Sequence, residues 1–246
     1  MRTPRTALLL ALLTAVGLVC TARAGVTQEQ VARYRELRKQ FFLVVALEPS
    51  RDKRPRKEHR DFLKKVVAFA DEVAPASPAY TAATHYLKAR MLLKIGQATA
   101  GRESFDACLE KLAEAAKTGE SLPPGTPSEC AIRVFRAFSF FGDGNAKVIA
   151  ELEAIRPDIG KPKYYEVGEP LTSWAEALEN RQEDADALRV YLLIKHWELW
   201  QEEAQNPDRK IRLIRLRTGE QPAPTEQPTA APAVPNDDNQ PPGEQP

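Results

Sequence analysis

The 246-residue chain carries 35 lysines and arginines against 34 aspartates and glutamates, so its formal net charge is only +1. A domain that binds nucleic acid generally carries a marked basic excess, and this balance therefore argues against DNA or RNA as a general partner. The charge is nevertheless segregated. Residues 51–65 hold eight basic side chains against three acids, whereas residues 218–246 hold five acids and no base.

The first 24 residues have the pattern of a secretory signal peptide. Arg2 and Arg5 give a basic start, an apolar run of roughly 14 residues follows, and small residues at 22–24 stand where a signal peptidase cuts. The run is shorter than the ~20 residues that a helix needs to span a bilayer, which makes a membrane anchor the weaker alternative. We therefore expect an exported protein, periplasmic or secreted.

A lipoprotein anchored through Cys20 is a further alternative for the same segment. Val19 disfavours it, because lipoprotein signals carry a small residue at the position before the cysteine. Cleavage after Ala24 would leave a mature chain that begins at Gly25. Since the removed segment contains three arginines and no acid, the mature chain would carry a formal charge of −2.

Two amphipathic helices are predicted in the first part of the mature chain. Apolar residues recur at helical spacing over residues 26–47 and again from about 56 to 73. Pro49 and Pro55 interrupt the pattern between them, because proline lacks the amide hydrogen that a helix interior needs. The two helices are expected to form a first hairpin.

Residues 81–112 have a clear hairpin pattern. One apolar stripe ends at Ile95, the small and polar residues of 96–101 supply a turn, and a second stripe begins at Phe105. Neither stripe can be buried by its own helix. The two helices are therefore expected to pack face to face and to need further hairpins beside them.

A third pair of helices follows a break at residues 119–127, which is rich in proline and glycine. Ser128 is placed to cap a helix rich in aromatic and branched residues. The turn residues of 142–145 then lead to its partner, which ends before Pro157.

The last helices follow an irregular link at residues 157–168. A short helix is predicted to start at Pro170, and Asp184 is predicted to cap a long helix over residues 185–205. In residues 209–217 the apolar side chains are scattered around the helix axis, which disfavours a helix that lies on a membrane.

These elements predict an all-α domain over residues 26–217, built of about four stacked antiparallel helical hairpins. An irregular helical bundle is the alternative architecture. Residues 218–246 are rich in proline and acid and contain no aromatic residue. They are predicted to form a disordered tail, because they lack the side chains that build a core.

The sequence contains no catalytic or metal-binding motif. His59, His85 and His196 have no metal-ligand spacing, and nucleophile, phosphate-loop and CxxC motifs are absent. We therefore expect no cofactor, no metal and no enzymatic activity. On neighbouring antiparallel helices, Cys108 and Cys130 would be offset by roughly 10 Å along the helix axes, whereas a disulfide needs Cα atoms within about 7 Å. This offset favours two buried free thiols over a disulfide.

Small and large residues of the 81–112 hairpin follow a characteristic order. Ala89, Gly96 and Gly101 are the small or turn residues, and Leu92 and Phe105 are the large ones. This pattern resembles a tetratricopeptide repeat. Residues 128–155 match the same pattern more loosely, in size and turn.

The resemblance implies an α-solenoid of the tetratricopeptide type. In that family the first helices of the stacked hairpins line a groove for a peptide or a partner protein. Carried over to this chain, the resemblance assigns Tyr86, Arg90 and Lys94 to such a groove, as outward-facing residues of the first helix. Tyr164 and Tyr165 are further candidates, because adjacent tyrosines on a loop offer contact area at little entropic cost.

The sequence thus leads to the hypothesis of an exported, non-enzymatic scaffold or adaptor that binds an unidentified protein or peptide through a helical-repeat surface. The alternative is a module that docks on an anionic surface through residues 51–65 and 209–217. Residues 51–65 have a net excess of five positive charges. At about 1 kcal/mol of binding free energy for each charge near an anionic membrane, the total is about 5 kcal/mol, which corresponds to a dissociation constant of about 0.1–1 mM. Contact with a membrane would therefore be weak and peripheral.

Overall fold

The computed structural model describes residues 25–47, 54–156, 159–202 and 206–220. The expected signal peptide, most of the acidic tail and residues 51–53 of the basic segment lie outside these stretches. Within them the chain forms nine α-helices and no β-strand. No helix in these stretches combines the length and the apolar character needed to cross a membrane.

The helices follow one another with short connections. A 3₁₀ turn at Phe141–Asp143 and a π turn at Tyr164–Gly168 lie between them. In chain order the helices are α1 (Gln28–Val45), α2 (Lys57–Val73), α3 (Pro78–Lys94), α4 (Ala98–Thr118), α5 (Glu129–Phe138), α6 (Asn145–Glu153), α7 (Glu169–Asn180), α8 (Asp184–His196) and α9 (Asp208–Thr218).

Consecutive helices pack in pairs, α1 with α2, α3 with α4, α5 with α6 and α7 with α8, while α9 packs on α8. Contacts of α2 with α3, of α4 with α5 and of α6 with α8 join neighbouring pairs into one stack. The buried apolar residues accordingly form one continuous core that runs from Tyr34 to Ile214. The predicted all-α fold of stacked antiparallel hairpins is confirmed for the described residues.

Serine caps begin two of the central helices. The Ser77 hydroxyl accepts a hydrogen bond from the N–H of Tyr80 at 3.1 Å, and the Ser128 hydroxyl accepts one from the N–H of Ala131 at 3.2 Å. Each bond satisfies a backbone donor that has no partner within the first turn of its helix. The N-cap predicted at Ser128 is therefore confirmed.

Small residues allow α3 and α4 to approach closely. Gly96 has a φ of +78° and ends α3, with the N–H of Gln97 bonded back to the carbonyl of Leu92 at 2.9 Å. A Cβ atom at Gly101 would lie 3.0 Å from Leu93 Cδ2 and 3.3 Å from the Ala89 carbonyl oxygen. Phe105 is fully buried one turn later, so this hairpin shares one apolar seam.

The long helix predicted over residues 185–205 is wrong in its length. Glu183 is the N-cap residue, Asp184 is the first residue of α8, and the helix ends at His196. Glu198 adopts a φ of +55°, and Trp197 and Leu199 on either side of it are buried. The chain leaves the helix here because both side chains turn back to the core, although their apolar character extends the helical pattern in the sequence.

Residues 209–217 form most of α9, whose apolar side chains divide between two environments. Ile211 and Ile214 are buried against the core, whereas Leu213 is 44% exposed and Leu216 is 78% exposed. The scattering expected from the sequence is therefore confirmed. The basic side chains of α9 are partly neutralised, since Lys210 and Arg217 both pair with Glu179, at 2.9 and 3.3 Å.

Cys108 and Cys130 are both buried and both unpaired, as expected from their positions along α4 and α5. Burial raises the pKa of the Cys108 thiol to about 12. Burial, with a further contribution from the carboxylate of Glu166, raises the pKa of the Cys130 thiol to about 11. Both thiols are therefore protonated and shielded at neutral pH.

We expect a Gly101→Val substitution to lower the free energy of unfolding by about 2 kcal/mol, because the added atoms overpack the α3–α4 seam. Urea denaturation followed by circular dichroism measures the change. Gly142→Val is the matched control, since the space around Gly142 is open, and it should alter stability by less than about 0.5 kcal/mol. Equal losses in the two variants would contradict this packing.

We expect iodoacetamide at pH 8 to leave Cys108 and Cys130 unmodified in the folded protein, because reaction requires an accessible thiolate. Both should be alkylated in guanidinium chloride without a reductant. Mass spectrometry of the intact chain reads the number of added groups. Alkylation that required prior reduction would show that the two residues form a disulfide.

Candidate binding groove

Two adjoining cavities lie along one side of α1. The larger has a volume of about 640 Å³ and is enclosed by α1, α3, α5 and the segments around residues 122–128 and 163–170. The smaller, of about 400 Å³, lies between α1, Tyr80 and Pro124. Arg38 and Phe42 line both. We call the two cavities together the α1 groove, and volumes in this range are typical of ligand sites.

The two residues that line both cavities, Arg38 and Phe42, belong to α1. Successive residues of a helix point about 100° apart, and on α1 Phe41 is buried whereas Phe42 is 57% exposed in the groove. Arg38, one turn earlier, places its guanidinium carbon 5.7 Å from the centroid of the Phe42 ring. Its Nη1 also donates to the carbonyl oxygen of Pro124 at 3.2 Å.

Gly125 makes room for this arginine. Its φ of +78° lies in the left-handed region, which glycine adopts without strain. A Cβ atom at this position would overlap the guanidinium group of Arg38. The loop that follows α4 therefore fixes the arginine at the junction of the two cavities.

The floor of the larger cavity is formed by Tyr86, Arg90 and Phe135. The Arg90 guanidinium carbon lies 3.6 Å from the centroid of the Phe135 ring, and Arg90 Nη1 donates to the Tyr86 hydroxyl at 2.7 Å. Stacking of a guanidinium on an aromatic face is attractive, and more so where water is excluded. Burial raises the pKa of Tyr86 despite the nearby Arg90, so this phenol is neutral at physiological pH.

The π turn, which carries Tyr164 and Tyr165, also lines the larger cavity. Glu166 fixes this turn to the start of α5. Its carboxylate accepts hydrogen bonds from the N–H of Ser128 at 2.9 Å, from the Ser128 hydroxyl at 2.8 Å and from the N–H of Lys163 at 3.0 Å. The ring of Tyr164 packs over Gly168, where no Cβ would fit. Tyr165 is 74% exposed.

The α1 groove has an excess of positive charge. Among the described residues, no carboxylate pairs with any of the five cations that line it, whereas Arg33, also on α1, pairs with Glu72 at 2.6 Å. The acid Glu166 already accepts three hydrogen bonds, and Glu169 is exposed at the rim. The five cations are Arg35, Arg38, Lys39, Arg90 and Lys163.

Four of the five binding residues proposed from the sequence line the larger cavity: Tyr86, Arg90, Tyr164 and Tyr165. Lys94 lies one turn beyond Arg90, near the end of α3, and is not part of its lining. The outward orientation expected for Tyr86 is wrong, because its side chain is only 8% exposed. It packs against the rings of Phe105 and Phe135, at 6.3 and 6.1 Å between centroids. The binding role of the five residues stays a prediction.

The sequence reasoning missed Arg38, Phe42 and Glu166. The adjacent phenylalanines Phe41 and Phe42 carried a usable signal, because Phe42 falls outside the apolar stripe that Tyr34, Leu37 and Phe41 form on α1. Glu166 gave no such signal, since its partner Ser128 is 38 residues away in the chain.

Comparison with known proteins assigns no family to the chain. No protein-family model matches it, and neither a curated protein nor a solved structure does. The resemblance to tetratricopeptide repeats therefore stays a prediction. Within the described stretches, no group of histidine, cysteine, aspartate or glutamate side chains is arranged to hold a metal ion.

We expect Glu166→Gln to lower the free energy of unfolding by about 1–2 kcal/mol, because it replaces a charged acceptor of three hydrogen bonds by a neutral amide. Urea denaturation measures this change, and hydrogen exchange should accelerate at Lys163–Gly168. Glu169→Gln at the exposed rim is the control and should change stability by less than about 0.5 kcal/mol. Unchanged exchange in Glu166→Gln would contradict the anchoring of the π turn.

Proposed function

We propose that the protein is an exported, non-enzymatic scaffold that binds an extended segment of a partner protein in the α1 groove. The observation that carries the proposal is the chemistry of the groove, whose lining combines aromatic rings with five cations that have no described acidic partner. Export is supported by the signal-peptide pattern of residues 1–24.

Aromatic and arginine side chains are the residue types that most often dominate the energy of protein–protein binding. Phe42 and Tyr165 present exposed ring surface in the lining of the larger cavity, which also includes the half-buried Arg90. A segment that enters the groove would bury apolar area on both rings. A carboxylate on that segment would meet a guanidinium that is held in place by its stacking on Phe135.

The division of the groove into two adjoining cavities supports an elongated ligand over a compact one. Arg38 and Phe42 line both cavities, so one extended segment can place side chains in each. An extended peptide can place successive side chains in the two cavities with little change in its own conformation. The resemblance to tetratricopeptide repeats supports the same class of ligand.

Docking of the protein on an anionic surface is less well supported. In α9, Lys210 and Arg217 are already paired with Glu179 and Arg215 is only partly exposed, which leaves Arg209 and Arg212 exposed and without a described acidic partner. Two charges at about 1 kcal/mol each contribute about 2 kcal/mol of binding free energy. A dissociation constant of 1 mM requires about 4 kcal/mol. The basic segment around residues 54–65 belongs to a different hairpin, since α2 packs on α1 and α3.

Selection of a random 12-residue peptide library on the purified mature protein tests the proposal. We expect selected peptides whose dissociation constants, measured by fluorescence anisotropy, rise at least tenfold in an Arg38→Gln/Arg90→Gln double variant. Circular dichroism verifies that this variant is folded. Tyr165→Ala provides a second groove variant with an exposed side chain and should weaken binding by about threefold or more.

A charge-matched double variant, Lys117→Gln/Arg209→Gln, is the control, because both side chains are exposed and lie on other helices. It should bind the selected peptides as the unmodified protein does. The proposal is wrong if no binding peptide emerges, or if the groove and control variants weaken binding equally.

A further inference from the structure

The chain itself contains a segment whose chemistry is complementary to the α1 groove. Residues 221–246 carry Glu226, Asp237, Asp238 and Glu244 and no basic residue, and eight of these 26 residues are proline. The groove offers the opposite charge. Its five cations, which line both cavities, lack an acidic partner among the described residues.

Proline suits this segment to an aromatic groove. Proline-rich segments favour the extended polyproline II conformation, and aromatic-lined grooves recognise that conformation because little conformational entropy is lost on binding. Such rings line both cavities of the groove: Tyr34, Tyr80 and Phe42 line the smaller, and Phe42, Tyr164 and Tyr165 line the larger. The charge and the backbone of the segment therefore match the same surface.

The segment is also long enough to reach the groove. Twenty-six residues in the polyproline II conformation span about 80 Å. A compact domain of the size described here has a radius of gyration of about 16 Å and is therefore about 40 Å across. From Glu220, just after the end of α9, the segment can pass around the domain to α1. The tether would hold its acidic residues near the groove at an effective concentration of the order of millimolar.

We infer that residues 221–246 bind in the α1 groove of their own chain and occupy it until the segment of a partner displaces them. This inference rests on the proposed function of the groove. It names the ligand class as an acidic, proline-containing extended segment, and it makes the C-terminal residues a competitor that weakens the binding of every external ligand of that class.

Paramagnetic relaxation in the complete mature chain tests the inference. A nitroxide attached through an Ala230→Cys substitution should label that site selectively, because Cys108 and Cys130 are buried. We expect the NMR signals of Tyr165 and Phe42 to lose at least half of their intensity, while those of Lys117 on α4 stay unchanged. At 0.5 M salt, where the Debye length is about 4 Å, the lost intensity should return.

Two further samples separate the possible causes. Neutralisation of the acids, by E226Q, D237N, D238N and E244Q, should restore the groove signals as salt does. A further sample mixes ¹⁵N chains that carry no nitroxide with ¹⁴N chains that carry it. The NMR signals of the ¹⁵N chains should show no broadening if the contact is within one chain. Unaffected groove signals, uniform broadening, or broadening only between chains would each overturn the inference.

A chain that ends at Glu220 should bind the library-selected peptides at least threefold more tightly than the complete chain, because the competitor is removed. Circular dichroism verifies that the shortened chain is folded, and the relaxation experiment stands without it. If the groove signals are unaffected but selected peptides still bind in the groove, only the inference fails. If no peptide is directed to the groove, the proposed function itself fails.

Discussion

The burial of α3 is the constraint on which the rest of the structure depends. This helix packs against α1, α2 and α4, so three neighbours must approach one cylinder. Fully buried alanines at 79, 82, 83 and 89 make that possible, because they present almost no side chain between the helices. The buried hydroxyls of Thr81 and Thr84 donate to carbonyl oxygens one turn back, each at 2.7 Å, which satisfies them without a partner from another helix.

The same constraint determines where α3 can contact a ligand. With three neighbours in place, part of its remaining surface, at Tyr86 and Arg90, lines the larger cavity together with residues of α1 and α5. Their long side chains reach the cavity, while the backbone that carries them stays rigid. A guanidinium stacked on Phe135 loses little freedom when it meets a carboxylate, which favours tight binding by preorganisation. The groove thus follows from the way in which the core is filled.

Much of this fold could be predicted from the sequence, because helical spacing and proline positions are local signals. The hairpins and the N-cap at Ser128 are of this kind. The burial of Tyr86 was not predictable from its own helix, since a helical wheel does not tell how many neighbours a helix has. The end of α8 was hidden because Trp197 and Leu199 continue the apolar pattern although they belong to the turn beyond it. The anchoring of the π turn by Glu166 depends on a contact between distant segments, which no local pattern reveals.

The pairing of Gly125 with Arg38 has a consequence for how relatives of this chain would be recognised. A protein with a bulkier residue in place of the glycine could retain every helix and still lose the arginine between the two cavities. The guanidinium group would have to move away from the loop, because the added side chain would overlap it. Its two cavities would merge into one wider and less charged trough. The presence of both residues would therefore distinguish proteins that share the proposed ligand preference from those that share only the fold.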